Sequence, residues 1–362
     1  MAETSVSSVA VYSARPTIRL AGTEDTRASE LLIAMRMEEN EGGMSALELR
    51  FSNWASLAAG GAEYAFGAGS RLALGAEIGV YAGDEAAPYE IFKGAITAIE
   101  SEYITGAPPE ITVLAEDSLQ RGRMARRSRV HLDKAPADVA RTIAGELGLT
   151  PVIAGLDQPV GIWAQLNESD LAFLRRLLGR FDGDLQVVGS ELHVSPRGDV
   201  RRGTLTLELH GQLARARISV DLADQVTQVT TRGWNSVDGR NVAGTATNIT
   251  HGGPGAGRDG AALLREHFEA RSEHYGHLAV ESDDEAQAVA EAAFDLRARR
   301  LVQLEGITEG NPRLRVGSHV AISGVEARFE NTYYVTRASH RFDLREGYRT
   351  EFSAECAYLG NS

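Results

Sequence analysis

The chain has 362 residues, with 37 Lys and Arg against 50 Asp and Glu and a formal net charge of −13. That balance disfavours general binding to DNA or anionic membranes, because counterion release needs net positive surface. The single cysteine, Cys356, excludes an intramolecular disulfide framework or a thiolate metal cluster within one chain, which fits assembly in a reducing cytoplasm. No stretch approaches the roughly 20 apolar residues of a membrane helix, and the Ser-rich start, residues 1–10, does not read as a signal.

A chain this long exceeds what one core usually serves, so two or three domains are expected. The first third reads as short strands. Leu31, Ile33, Met35 and Met37 alternate with other residues, as do Leu47, Leu49 and Phe51. The pattern recurs at Leu72, Leu74, Ala76, Ile78 and Val80, at Phe92, Ile96 and Ala98, and at Ile111 and Val113. Period-two alternation puts one row on a core and the other on solvent or a partner. Glycine-containing turns at 41–43, 60–61, 83–84 and 106–109 separate the runs, which predicts an antiparallel barrel or sandwich. From Pro136 the period changes: Val139, Ile143 and Leu147 fit a helix stopped by Gly148. A second helix, capped by Asn167 or Ser169, carries Leu171, Leu174, Leu177, Leu178 and Phe181 on one stripe. A hairpin around Gly189 and Ser190 completes a small α/β piece. Strands return at Leu205, Leu207 and Leu209 and at Ala216, Ile218, Val220 and Leu222. The Gly-rich stretch 251–260 reads as a flexible surface loop before two helices, the second striped by Ala286, Val289, Ala293 and Leu296.

The last fifty residues are the most informative. Leu314 and Val316 lead to a turn at Gly317, and Val320 and Ile322 form a short strand. A long strand follows, with Tyr334, Thr336, Ala338, His340 and Phe342 on one face and Tyr333, Val335, Arg337, Ser339 and Arg341 on the other. Gly347 closes a hairpin whose return strand sets Tyr348, Thr350, Phe352, Ala354, Cys356 and Tyr358 against Arg349, Glu351, Ser353, Glu355 and Ala357. The runs Gly310 to Gly317, Thr332 to Thr336, His340-Arg341-Phe342 and Gly347 to Thr350, with Gln165 to Leu174 and Phe92 to Glu100, resemble the late control gene D family. That family comprises baseplate hub proteins of contractile phage tails and the N-terminal part of VgrG spike proteins.

The resemblance implies a mainly β chain with α+β insertions: two tube-like antiparallel β-barrels plus a smaller α/β domain. The expected boundaries are 1–117 for the first barrel, 118–198 for the α/β domain, 199–240 with 302–362 for the second barrel, and 241–301 for a loop and helical insertion. It further implies a homotrimer whose six barrels let a threefold spike meet a sixfold inner tube. The expected partners are the inner tube protein and a separate spike protein, with a baseplate wedge or tape-measure protein as further candidates. No VgrG-like needle follows the last hairpin, so the spike is expected to be another chain. The site of assembly would be the baseplate of a phage tail or related particle, after synthesis in the cytoplasm. No cofactor, sequence-specific nucleic-acid contact or membrane insertion is expected.

Chemistry finds little footing in the sequence. His267, His274 and His277 read as helical neighbours, but two turns separate imidazoles by roughly 10 Å, too far to share a metal unaided. The 251–258 loop lacks the Gly-Lys-Ser/Thr ending of a phosphate loop, and Gly67-Ala68-Gly69 is weaker still. Cys356 sits among apolar residues and reads as packing. No motif fixes a carboxylate pair, so no enzyme is expected; the alternative is a tail-tip cell-wall hydrolase. Candidate interface residues are the basic cluster Arg121, Arg123, Arg126, Arg127 and Arg129, with a solvated face as the bland reading, and the charged rows of the final hairpin, Arg337, Arg341, Arg349, Glu351 and Glu355.

Overall fold

The structure is a computed structural model that describes residues 15–56, 61–67, 69–83 and 88–360. The readings of residues 1–10, Gly60, Ala68 and Asp84 lie outside these residues. The chain is mainly β, as expected, and one antiparallel-dominated sheet of 13 strands runs through most of it.

The first unit contains β1 (Thr17–Leu20), β2 (Leu32–Asn40), β3 (Ala46–Ser52), β4 (Glu77–Ala82), β5 (Tyr89–Glu102) and β6 (Glu110–Glu116). Leu20, Met35, Leu49, Ile78, Phe92 and Val113 share one buried cluster, so strands from both ends of this unit meet at one core. The strand expected over Leu72 to Val80 begins only at Glu77, because Gly75 takes φ +80° and Leu74 lies 68% exposed. Leu31 ends a short helix, Thr26–Leu31, rather than opening β2.

The middle piece holds β7 (Arg126–Lys134), α1 (Pro136–Glu146), β8 (Gly161–Ser169), α2 (Asp170–Gly179), β9 (Gly183–Val188) and β10 (Glu191–Pro196). Pro136 occupies the first turn of α1, where its missing N–H costs nothing, and Gly148 follows at φ +72°. Ser169 caps α2 by accepting from Ala172 N at 3.3 Å. Val139, Ile143, Leu171, Leu174, Leu177 and Leu178 pack with Leu185, Val187, Leu192 and Val194 into a second core.

The remainder contains β11 (Thr204–Glu208), β12 (Leu213–Val220), β13 (Gln228–Asn235), β14 (Arg240–Ala246), α3 (Gly260–His267), α4 (Asp283–Arg299), β15 (Val302–Glu309), β16 (His319–Ser323), β17 (Thr332–Asp343) and β18 (Gly347–Cys356). α4 lies on the β13–β14 ribbon so closely that a Cβ on Gly244 would stand 2.2 Å from Ala286 O. α3 stops at His267 and His274 lies in a short strand, so the three histidines do not share a helix.

Pairing order exposes a duplication. The first unit pairs as β1-β4-β5-β6-β3-β2, and the last as β11-β16-β17-β18-β15-β12. The order is the same in both, although β1 meets β4 antiparallel while β11 meets β16 parallel. Irregularities coincide too. β5 bulges at Thr97 against β6, and β17 bulges at Thr336 against β18. Each threonine hydroxyl then donates to the carbonyl across the ladder, Leu114 O at 3.3 Å and Ser353 O at 3.2 Å. β2 shifts register after Leu32 against β3, and β12 after Leu213 against β15. A bulge moves every later side chain to the opposite face. This corrects the strict alternation expected for β17: Tyr333 and Val335 enter the core before the bulge, Ala338 after it. No ladder closes either unit into a barrel among the described residues; β2 and β17 instead join the two units edge to edge.

Candidate assembly surfaces and buried junctions

The seam between units is built from β2 and β17, with Arg337 opposite Asn40, His340 opposite Met37 and Asp343 opposite Ala34. Arg337 donates to Glu38 Oε1 at 2.9 Å, and Glu38 also accepts from Arg36. Burial works against ionised Glu38, but the two guanidinium groups outweigh it and hold the carboxyl below its ordinary range. Arg341 pairs with Glu351 at 3.2 Å, so these two candidates hold each other, while Arg349 is held by Glu346 at the hairpin turn.

Beneath the seam lies a charged junction. Glu39 accepts from Arg315 Nε at 2.7 Å and from Val316 N at 3.3 Å, joining β2 to the loop before β16. His340 accepts or donates at Nδ1 with Tyr348 Oη at 2.7 Å, while its buried Nε2 meets no hydrogen-bond partner among the described residues. Burial, then the nearby Arg315 charge, pushes this imidazole down to about 3.

Glu355 belongs to a second junction rather than to an open surface. It accepts from Arg197 Nη2 at 2.5 Å and Arg299 Nε at 3.3 Å. Arg299 also forks onto Asp182 at 2.5 and 2.6 Å, and Arg197 reaches Glu41 while lying 3.9 Å over the Tyr334 ring. A cleft of about 570 Å³ opens here between Asn40, Arg175, Arg180 and Leu296. Its arginines are engaged: Arg175 holds Gly42 O and Gly43 O, each at 2.7 Å, and Arg180 holds Glu285. The cleft is therefore where the three parts are bolted together.

The basic cluster divides. Arg127 and Arg129 converge on Asp170 at 3.1 and 2.9 Å, Arg129 also reaching Glu146 at 2.8 Å. Arg123 pairs with Glu116, and Arg126 donates to Asn167 O at 3.1 Å. Arg121 is exposed. Arg127 and Arg129 thus anchor β7 to the start of α2, a role readable only once Asp170 is seen beside them.

Two features escaped the sequence. The 251–260 loop is held down: Asp295 accepts from Thr250 N and His251 N at 2.8 and 2.7 Å, and a Cβ on Gly255 would stand 2.3 Å from Cys356 Sγ. Burial of that sulfur raises its pKa to about 11, as packing requires. Exposed aromatics also cluster, with Trp54, Tyr64 and Tyr103 edge to face at 6.3 and 6.1 Å. Among the described residues no group of three His, Cys, Asp or Glu side chains could hold a metal, and no helix is long and apolar enough to cross a membrane.

Solved structures share this arrangement. The 43 kDa tail protein of prophage MuSo2 from Shewanella oneidensis matches with a TM-score of 0.67 at 12% identity, over 95% of this chain and 98% of that one. An E. coli type VI secretion component, described as similar to the T4 tail proteins gp27 and gp5, matches at 0.56 and 13%, over 95% and 79%. A chain of the Francisella PdpA–VgrG complex matches at 0.54 and 9%, over 96% and 59%. The fold is that of these phage-tail and secretion-system proteins. By sequence, the chain belongs to the family described as the Alg8 N-terminal domain, which matches residues 58–343. No curated protein matches it.

Proposed function

We propose that this chain is the structural hub of a contractile tail or injection-system baseplate, a homotrimeric adaptor between a sixfold inner tube and a threefold spike. The observation that carries the reading is the duplicated six-strand unit, with matched bulges and one edge-to-edge seam. Three copies would present six similar units around an axis, which reconciles the two symmetries. The fold shared with tail and VgrG-complex chains supports it. In this reading residues 1–117 and 199–240 with 302–362 form the two tube-like units, and 118–198 with 241–301 brace them from outside. The spike and tube are separate proteins, the particle is a phage tail or its relative, and the hub acts through symmetry and stiffness without chemistry.

The test is the mass of the purified chain in solution, followed by electron microscopy of particles carrying it. Three copies at the junction of tube and spike are expected. A chain that remains single and never co-purifies with tube or spike would overturn the proposal, and clear lysis of peptidoglycan by the pure protein would favour a hydrolase.

A further inference from the structure

The seam satisfies one edge from each unit, and the duplication leaves the two counterpart edges open. β12, the counterpart of β2, has a ladder only with β15; past a single bridge from Leu213 to Leu209, its other edge is free among the described residues. β5, the counterpart of β17, pairs with β4 from Tyr89 to Ala95, and Ile96 bonds to Gly75 N and Ala76 O in the loop before β4. Among the described residues its edge from Thr97 to Glu102 therefore meets β6 alone. Unpaired strand edges are templates for another strand, and natural proteins cover or charge them. We infer that β12 of one copy pairs antiparallel with the Thr97–Glu102 edge of β5 in the next copy, repeating between chains the seam found within each chain. The inference rests on the trimer reading and names its interface.

The matched irregularities fix the register. Aligning Thr97 with Thr336 makes Glu100, Ser101 and Glu102 the counterparts of Ser339, His340 and Arg341. Aligning the shifts after Leu32 and Leu213 makes Arg36, Met37 and Glu38 the counterparts of Arg217, Ile218 and Ser219. In the seam Arg341 faces Arg36, His340 faces Met37 and Ser339 faces Glu38. The same operation between copies sets Glu102 opposite Arg217, Ser101 opposite Ile218 and Glu100 opposite Ser219.

The charges on the two free edges suit each other. β12 exposes Arg215 and Arg217, and among the described residues Arg217 reaches only Glu305, at 3.6 Å with both side chains mostly in water. β5 exposes Glu100 and Glu102. Opposite charges directly across an antiparallel pair are favourable and like charges are not. The pairing would also cover Tyr103 and Ile104, which are 65% and 59% exposed just beyond β5. A head-to-tail contact of this kind closes into a ring when its rotation suits the copy number.

Cross-linking tests the register. In the double variant Glu100→Cys with Ser219→Cys, the new thiols face each other at the Cα separation that antiparallel neighbours and disulfides share. Cys356 is buried and does not compete. Mild oxidation should give disulfide-linked species of two and three copies on non-reducing gels. Glu100→Cys with Arg215→Cys, four residues out of register, should give none. Independently, Arg215→Glu with Arg217→Glu should abolish the three-copy mass with circular dichroism unchanged, and adding Glu100→Arg with Glu102→Arg should restore it. A three-copy wild type with neither cross-links nor a charge effect overturns the strand pairing and leaves the hub reading standing. A wild type that stays single overturns both, and cross-links only to a tube protein overturn the pairing in favour of that occupant.

Discussion

Glu39 shows what one residue contributes. Its side chain is 1% exposed, yet it stays ionised, because the Arg315 guanidinium and the Val316 N–H outweigh the burial that opposes the charge. Replacing it by Ala leaves the partly buried Arg315 guanidinium, 25% exposed, without its carboxylate, so Glu39→Ala should cost up to about 3 kcal/mol, read as a lower midpoint in urea. His340 adds a pH dependence. Folded, it stays neutral and takes up its second ring proton only near pH 3; unfolded, it takes that proton near 6.5. The unfolded chain therefore binds the extra proton between those values, and stability from this group is full above about 6.5 and lost as pH falls. His340→Phe should flatten the acid-side decline by up to about 1.4 kcal/mol per pH unit, whatever its effect on absolute stability. Unfolding curves at several pH values check the slope. Neither residue was legible as a junction, since Glu39 and Arg315 are far apart in sequence and only the seam brings them together.

At the scale of elements, the close approach of α4 to β14 depends on Gly244 having no side chain. Gly244→Ala should cost about 1–3 kcal/mol by forcing the helix off the ribbon, seen as a lower melting temperature. Helices were the most legible elements: α1 and α2 stand where their apolar stripes, Pro136 and Ser169 put them. Strands were legible until a bulge intervened. Val335 and Ala338 share a core because Thr336 adds one residue, and nothing in a two-residue period announces that. The basic cluster was legible as charge but not as structure. Because Arg127 holds Asp170, Arg127→Glu would set two carboxylates together and lower stability by itself. Arg126→Glu is the cleaner probe of docking, and unchanged particle assembly would mark Arg126 as a solvated residue.

For the whole molecule, the formal charge of −13 makes copies repel at long range, while the Arg215 and Arg217 edge offers a local attraction to Glu100 and Glu102. Salt screens both over roughly 8–10 Å at physiological strength. If paired edges govern assembly, Arg217→Glu should slow ring formation most at low salt, and the difference from wild type should shrink as salt rises. Light scattering during assembly measures this.

The sequence by itself determined the β-rich class, the helices α1, α2 and α4, the amphipathic final hairpin and the resemblance to tail hubs, because each is written in local period, turn chemistry or short motifs. Tertiary structure alone decided that the first and last units repeat one strand order, that β2 and β17 fuse them, and which charges are buried at the junctions. The reason is physical: pairing partners, bulge positions and desolvated ion pairs are set by residues distant in sequence, and local pattern carries no record of which strand lies beside which.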